Sequence, residues 1–405
     1  MTTRLEVSRA FQYALVIFTL TVLIGLANAT KVFGAIDRDT LLTHLHSGTL
    51  GWITMGVIAV TIWIFGGAGR GLGTAVMLSA LVTAAYVMAF WSGNFVLRAV
   101  FGMAELAVIV YWWWWAFSAA RIEGFGHLDI PKLSIVLGLT TLVVGSTVGV
   151  LLQLLFLTGN VTPDTGALIG THASAQIGGY LVLVAAGIAE WQLAGGGSRS
   201  RAGLAQAWSL FGGGILLAIG VTFGLQPLLG LATLLQVVGI VFVIARFGRR
   251  VIAAPWMAAT GTRHIAVAVG FLVVGLVLEI LLVQAFTAAR GDQSAVSPGL
   301  NTALSHAMFV GLMTNILFGC ILVLTAGQPR VWPWADDVIF WGLNLGALSF
   351  IVVLLVVGSS AGAGVFAHPV AFTAPIMGLA ALLGIATYFV RLGGARAAAV
   401  LPAEA

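Results

Sequence analysis

Four of the seven histidines in this chain have the type and placement of metal or haem ligands. His44, His46, His172 and His306 each lie near the start of a long apolar run. Imidazole is a common ligand for haem iron and also binds copper. An ionisable group inside an apolar run is costly and usually functional. Four of them on three runs therefore predict a cofactor site, whereas a single histidine is explained equally well by an ordinary helix contact.

The runs that carry these histidines are predicted to be transmembrane helices. Hydrophobic residues make up 60% of the chain and charged residues 8%, whereas soluble domains carry roughly 25% charge. A helix needs about 20 apolar residues to cross a bilayer, and a barrel strand only about ten. We predict one polytopic all-α membrane domain over residues 1–405, with twelve spans near 9–30, 42–66, 71–91, 96–120, 132–158, 167–192, 204–224, 228–247, 262–288, 300–326, 336–358 and 370–392.

Basic residues indicate the orientation of these spans. The termini and the loops after even-numbered spans hold fourteen Lys and Arg residues, and the opposite face holds four: Lys31, Arg38, Arg98 and Arg290. The positive-inside rule then predicts both termini in the cytoplasm and the cell (inner) membrane as the location. The basic isoelectric point comes from loop arginines that indicate the topology of the spans. Nucleic acid is therefore not a predicted partner.

This orientation predicts that the four histidines form one layer near the outer face. His44 and His46 lie in the first turns of span 2, while His172 and His306 lie about six or seven residues into spans 6 and 10. At 1.5 Å per residue they fall within roughly 10 Å of one another in depth. His46, His172 and His306 recur every four spans, each followed by a small residue, which predicts three pseudo-repeated four-helix units.

Other polar residues could support a cofactor in this layer. Arg98 and Arg290 lie at the outer ends of spans 4 and 9, where they could meet haem propionates or simply reach the interface. Glu105 and Glu279 lie inside spans and could carry protons or hydrogen-bond a ligand imidazole. Gln176 lies one turn after His172 and is a candidate hydrogen-bond donor. One cysteine, Cys320, excludes internal disulfides and the attachment motif of c-type haem.

The pattern resembles subunit I of the haem-copper oxidase superfamily. The shared features are twelve spans, both termini inside and histidines on spans 2, 6 and 10 near the outer face. Locally, THLHSGTLGW at residues 43–52 resembles the start of span 2 in short oxidase-like relatives and in the NnrS family, whose members are membrane haem proteins connected with nitric oxide. The segment SHAM at 305–308, followed by Gly311, resembles a late NnrS segment.

The resemblance implies haem ligands at particular positions. His46, with His44 as substitute, matches the span 2 haem ligand, His306 matches a span 10 ligand, and His172 matches a histidine that binds copper in oxidases. Where oxidases have further histidines, this chain has Met308 in span 10 and none in residues 204–224. It also has Gln176 in place of a tyrosine, and lacks an arginine pair between spans 11 and 12.

These departures argue against the three-histidine copper site but leave haem binding open. One b-type haem between His46 and His306, with His172 nearby, is the simplest arrangement. The alternative has two haems, one held by His46 and Met308 and the other by His306. Copper is disfavoured, since the span 7 histidines of its oxidase site are missing.

The predicted function is a membrane haem protein that handles or senses a diatomic such as nitric oxide or oxygen, or relays electrons. Its partners would then be the lipid bilayer and a redox protein or respiratory-complex subunits. The alternatives are a twelve-span secondary transporter that uses intramembrane His and Glu in proton coupling, and a non-catalytic subunit of a respiratory complex. The residues leave catalysis open, and no catalytic residue is predicted.

Overall fold

The computed structural model describes residues 2–66, 71–162, 165–289 and 295–400, with side chains from residue 3 to residue 394 of those ranges. No strand occurs among the described residues. Arg290, one of the predicted propionate partners, lies outside the described residues.

Among the described residues, twelve helices are long and apolar enough to cross a membrane, which confirms the predicted all-α architecture and the number of spans. The protein is therefore a multi-pass membrane protein. The helices are α1 Thr3–Thr30, α2 Arg38–Phe65, α3 Leu72–Trp91, α4 Phe95–Glu123, α5 Ile130–Thr158, α6 Thr165–Ala194, α7 Arg201–Phe223, α8 Gln226–Ile252, α9 Gly261–Ala288, α10 Pro298–Leu324, α11 Ala335–Val356 and α12 Val370–Gly394.

Short polar residues start several of these helices. Asp37 precedes α2 and accepts a hydrogen bond from the Thr40 amide, and Asp129 precedes α5 and accepts one from the Lys132 amide. Ser200 caps α7 in the same way. Each cap satisfies one of the amides that have no partner within the helix.

The chain divides into two compact units. The first comprises residues 1–93, 255–264 and 309–405, and the second comprises 94–254 and 265–308. In the first unit Gly51 of α2 lies against Ile17 of α1, with no room for a Cβ atom. In the second unit Gly214 of α7 also lies too close to the Gly179 backbone of α6 to leave room for a Cβ atom. Close approach at small residues is the usual way in which helices pack in membranes.

Three of the helices change from α to π geometry partway along. The π-helical segments are π1 Ser47–Thr54 in α2, π2 Ala175–Leu181 in α6 and π3 Ala307–Thr314 in α10. In a π segment the hydrogen bonds span five residues, which widens the helix and turns its later side chains relative to its earlier ones. Such segments are frequent at functional sites.

Candidate functional site: histidines before the π segments

In the part of the chain that the structure describes, the three helices with π segments are the three that carry the predicted ligand histidines. His46 and His306 immediately precede π1 and π3. His44 lies three residues before the start of π1, and His172 lies three residues before the start of π2. All four lie in the opening α-helical segment of their span, which is 9 or 10 residues long.

His46 and His306 share one local geometry. The Nδ1 atom of His46 lies 2.8 Å from the carbonyl oxygen of Leu42, four residues earlier in the same helix. The Nδ1 atom of His306 lies 2.9 Å from the carbonyl oxygen of Thr302, also four residues earlier. In both cases the ring is held against its own helix just before that helix widens.

The π segments after these two histidines also end alike. Thr54 closes π1 and donates its hydroxyl to the Thr49 carbonyl oxygen at 3.0 Å. Thr314 closes π3 and donates to the Phe309 carbonyl oxygen at 2.9 Å. Both bonds reach back five residues, the spacing of a π-helix. A His followed eight residues later by a Thr is therefore a sequence signal that was available but not used.

His44 and His172 share a second geometry, in which the preceding helix holds the ring. The Nδ1 atom of His44 lies 2.8 Å from the Thr21 carbonyl oxygen of α1. The Nδ1 atom of His172 lies 2.8 Å from the Gly145 carbonyl oxygen of α5. Each of these bonds joins an even-numbered span to the span before it.

A glycine makes room for each of these two rings. A Cβ atom on Gly25, four residues after Thr21, would lie 3.0 Å from Cε1 of His44. A Cβ atom on Gly149, four residues after Gly145, would lie 2.9 Å from Cε1 and Nδ1 of His172. On α1 and on α5, the carbonyl oxygen and the glycine four residues later together form the surface against which the imidazole ring packs. We call this surface the seat of the ring.

These geometries sort the histidines differently from the sequence pattern. In sequence, His172 resembles His46 and His306, because a small residue follows each of them. In the structure, His172 resembles His44, because the two share the same kind of hydrogen bond and the same distance to the π segment. In α6 the position that corresponds to His46 is Ser174, and in α10 the position that corresponds to His44 is Leu304. Only α2 carries both kinds of histidine among the described spans.

All four rings have the hydrogen-bonding pattern of a metal-bound imidazole. A backbone carbonyl can only accept, so each Nδ1 must carry a hydrogen and donate it. The lone pair of the neutral ring then lies on Nε2. A carbonyl partner on Nδ1 commonly fixes the tautomer and orientation of histidines that bind metal through Nε2. The donor set therefore fits axial ligation of a haem iron.

Aromatic side chains of α3 restrain the His46 ring further. The ring stacks on Phe90 with centroids 3.8 Å apart and an angle of 14° between the planes. Tyr86, one turn earlier, meets it edge-on at 6.0 Å. Because this contact is with the face of the ring, it fixes the ring plane and hence the plane in which the Nε2 lone pair lies.

The other residues predicted for the site are spread over the second unit. Arg98 and Glu105 are both buried in α4, and the Arg98 guanidinium carbon lies 5.1 Å from the centre of the Phe95 ring. The thioether of Met308 packs against Gly275 of α9 and is buried.

Gln176 lies in π2 itself, and Glu279 of α9 approaches that segment. Gln176 donates to the Ser146 hydroxyl at 3.2 Å. Glu279 of α9 and Gln236 of α8 both face Gly178, and the Gln236 amide donates to the Gly178 carbonyl oxygen at 2.5 Å. Oε1 of Glu279 and Oε1 of Gln236 are buried without a hydrogen-bond partner.

One polar cluster was missed by the sequence reasoning, which did not include His264 among the candidate residues. His264 and its neighbour Arg263 are fully buried in the first unit and contact the side chains of Asn315 in α10 and Asp337 in α11. A basic residue beside a histidine at a helix start was the only sequence signal. His127 is exposed in a loop, and His368 accepts a hydrogen bond from the Val370 amide.

No three His, Cys, Asp or Glu side chains converge in the part of the chain that the structure describes. A group held by one or two axial nitrogens, such as haem, needs no such convergence. No known family model matches this chain, and no curated protein matches it.

Proposed function

We propose that this membrane protein binds haem and uses it to handle or sense a diatomic ligand, or to relay electrons. His46 and His306 are the proposed axial ligands, and His44 and His172 form a second pair that is held differently. The observation that carries the proposal is the shared geometry of His46 and His306. Each has Nδ1 fixed by the carbonyl four residues earlier and lies directly before a π segment.

The chain's own residues would set the properties of such a haem. The carbonyl bond to Nδ1 increases the donor strength of the imidazole and fixes its rotation. Phe90 and Tyr86 surround the His46 ring with aromatic side chains. When bound, haem iron supplies a redox-active centre and, if one axial position is open, a binding position for a diatomic.

The first test is the absorption spectrum of the full-length protein purified after haem-replete expression, with a pyridine haemochrome assay. We expect a Soret band and b-type haem. His46→Ala and His306→Ala should each reduce haem content at least severalfold or change the spin state. Purified, folded wild-type protein without haem would overturn the proposal.

The control variant is His127→Ala, because His127 is exposed in a loop and takes part in none of these contacts. It should keep the wild-type haem content and spectrum. His264→Ala is unsuitable as a control, because that side chain is fully buried among polar groups and its loss would disturb folding. Equal haem loss in His127→Ala and His46→Ala would show that the effect is not ligation.

A further inference from the structure

A buried polar site lies in the second unit, where α8 and α9 pack against π2 of α6. Glu279 of α9 is 7% exposed and Gln236 of α8 is 1% exposed. A Cβ atom on Gly178 in π2 would lie 3.4 Å from Oε1 of Glu279 and 3.6 Å from Nε2 of Gln236. The carboxyl and the amide thus meet at one point, which the missing side chain of Gly178 leaves open. The proposed haem function uses neither group.

The Gln236 amide is held in one orientation. Its nitrogen donates to the Gly178 carbonyl oxygen at 2.5 Å. Since a carbonyl can only accept, the nitrogen and not the oxygen of the amide must face α6. The side chain also packs on Gly213 of α7, where a Cβ atom would lie 3.0 Å from Cγ of Gln236. Gln236 therefore ties α8 to π2 by a bond that depends on which way its amide points.

The Glu279 carboxyl has no countercharge. It forms no ion pair with any Lys, Arg or His side chain in the described part of the chain. No described residue donates a hydrogen bond to its Oε1 atom. An ionised carboxylate inside a span is costly without a counterion or donors, and the neutral acid avoids that cost. These contacts therefore fit a carboxyl that carries a proton.

The charged and titratable groups of the neighbouring helices lie at other levels of the spans. Helix α9 packs on α7 and α8 through Val283 and Phe286, and on α10 at Gly275. Arg246, paired with Glu190, lies ten residues beyond Gln236, about 15 Å along α8. The full set is His172, Tyr180 and Glu190 on α6, Arg201 on α7, Arg246, Arg249 and Arg250 on α8, and His306 on α10. Only the phenol of Tyr180 lies within one turn of Gly178 or Gln236 in sequence, and a phenol is uncharged at neutral pH.

We propose that Glu279 is an intramembrane proton-binding site and that Gln236 transmits its protonation state to π2. With the proton bound, the neutral carboxyl lies against Gly178, and the Gln236 amide keeps its bond to the Gly178 carbonyl. Release of the proton breaks the carboxyl O–H bond, leaves the electron pair on Glu279 and gives the proton to solvent water. The carboxylate then needs N–H donors. The Gln236 amide beside it turns to it at the expense of the bond to Gly178.

The first experiment records the infrared spectrum of the purified full-length protein as the pH is raised from acid to alkaline. A protonated carboxyl has a C=O stretch that is separate from the carboxylate and amide bands and shifts in D2O. We expect a band of this kind at neutral pH that is lost at alkaline pH. Glu279→Gln should remove the band at neutral pH. An identical protonated-carboxyl region in wild type and Glu279→Gln would overturn the proposal.

The matched control for the infrared experiment is Glu123→Gln. The Glu123 carboxyl is paired with Lys132 at the exposed end of α4, so we expect this variant to leave the band unchanged. Glutamine has the shape of a neutral glutamic acid, so Glu279→Gln should fold. A Glu279→Gln variant that does not fold would also contradict the proposal, because it would mean that the fold needs the carboxylate.

The second experiment compares backbone hydrogen exchange at neutral and alkaline pH, corrected for the intrinsic rate at each pH. Because proton release weakens the bond between Gln236 and Gly178, the peptide that contains π2 should lose protection severalfold in wild type but not in Glu279→Gln. The peptide that contains π1, in the first unit, is the internal control and should behave alike in both proteins. A π2 response that is equal in the two proteins, or absent from both, would overturn transmission through Gln236. Neither readout depends on haem, so its failure is distinct from failure of the haem proposal.

Discussion

At the scale of single residues, glycines decide where two of the histidine rings lie. Gly25 and Gly149 each stand where a larger residue would occupy the space of an imidazole. The carbonyls of Thr21 and Gly145 complete the two seats. The position of these rings therefore depends on α1 and α5 as much as on the helices that carry the histidines.

The first prediction at this scale concerns Gly149→Ala. The added methyl group would lie 2.9 Å from His172 Cε1 and Nδ1, so the ring must move and its 2.8 Å bond to the Gly145 carbonyl must lengthen. We expect the free energy of unfolding to fall by about 1–3 kcal/mol, the usual cost of overpacking. Denaturant or thermal unfolding of the purified protein measures it.

The matched control is Gly270→Ala. A Cβ atom at Gly270 in α9 meets no atom within 4 Å, so this change adds only helix propensity, worth about 0.5–1 kcal/mol in favour of the alanine. If both variants were equally stable, the packing of His172 against Gly149 would not be a significant constraint.

At the scale of elements, the π segments of α2 and α10 are joined within the first unit. The indole nitrogen of Trp52 in π1 donates to the hydroxyl of Thr314 in π3 at 3.0 Å, and both groups are buried. Trp52 also stacks on Phe18 of α1, with centroids 4.7 Å apart. Thr314 thus donates a hydrogen bond within π3 and accepts one from Trp52 in π1.

Thr314→Val should test this junction, because valine has nearly the same shape but cannot accept a hydrogen bond. The Trp52 N–H would then be buried without a partner, and we expect a loss of about 1–3 kcal/mol. Thr61→Val is the comparison, since the Thr61 hydroxyl is also buried but donates to the Val57 carbonyl of its own helix. Equal losses in the two variants would count against a special role for the junction.

The start of α2 gives a pH-dependent prediction. The Thr40 amide donates to Asp37 Oδ1 at 2.7 Å, and this bond lowers the pKa of Asp37 below its ordinary value of 3.8. Because the folded-state pKa is the lower one, the stabilisation is present above the ordinary pKa. It is lost as the pH falls through the folded-state value.

We therefore expect Asp37→Ala to lower the unfolding midpoint slightly at neutral pH, and the difference from wild type to shrink below pH 3.8. Asp37→Asn keeps an N-cap oxygen without a titrating group, so the stability of that variant should not show this pH dependence. A wild-type advantage over Asp37→Ala that persists unchanged in acid would contradict the assignment.

At the scale of the whole molecule, the sorting of basic residues predicts which loops face the cytoplasm. Cys320 is buried, so we expect it not to react with a thiol reagent. Asn160 follows α5 and Gly126 follows α4, and both are exposed. With an impermeant reagent on intact cells, we expect labelling of Asn160→Cys but not of Gly126→Cys, and labelling of both after disruption. The reverse pattern would invert the proposed orientation and place the histidines near the inner face.

The sequence by itself determined the twelve spans, and the bounds agree with the structure within a few residues at most ends. This follows because the bilayer fixes the length and composition of a spanning helix regardless of what packs around it. The same reasoning picked out His44, His46, His172 and His306, since an ionisable residue stands out in an apolar run.

Only the tertiary structure decided how those histidines are held. The carbonyl oxygens of Thr21 and Gly145 that hold two of the rings lie more than twenty residues away in sequence. Every residue has a backbone carbonyl, so the residue type does not reveal which one accepts the hydrogen bond. The structure also showed that His264 is buried against a polar side chain of another helix, because its hydrogen-bond partner Asn315 comes from α10. Composition determines which segments enter the membrane, but contacts between helices determine what their polar side chains can do there.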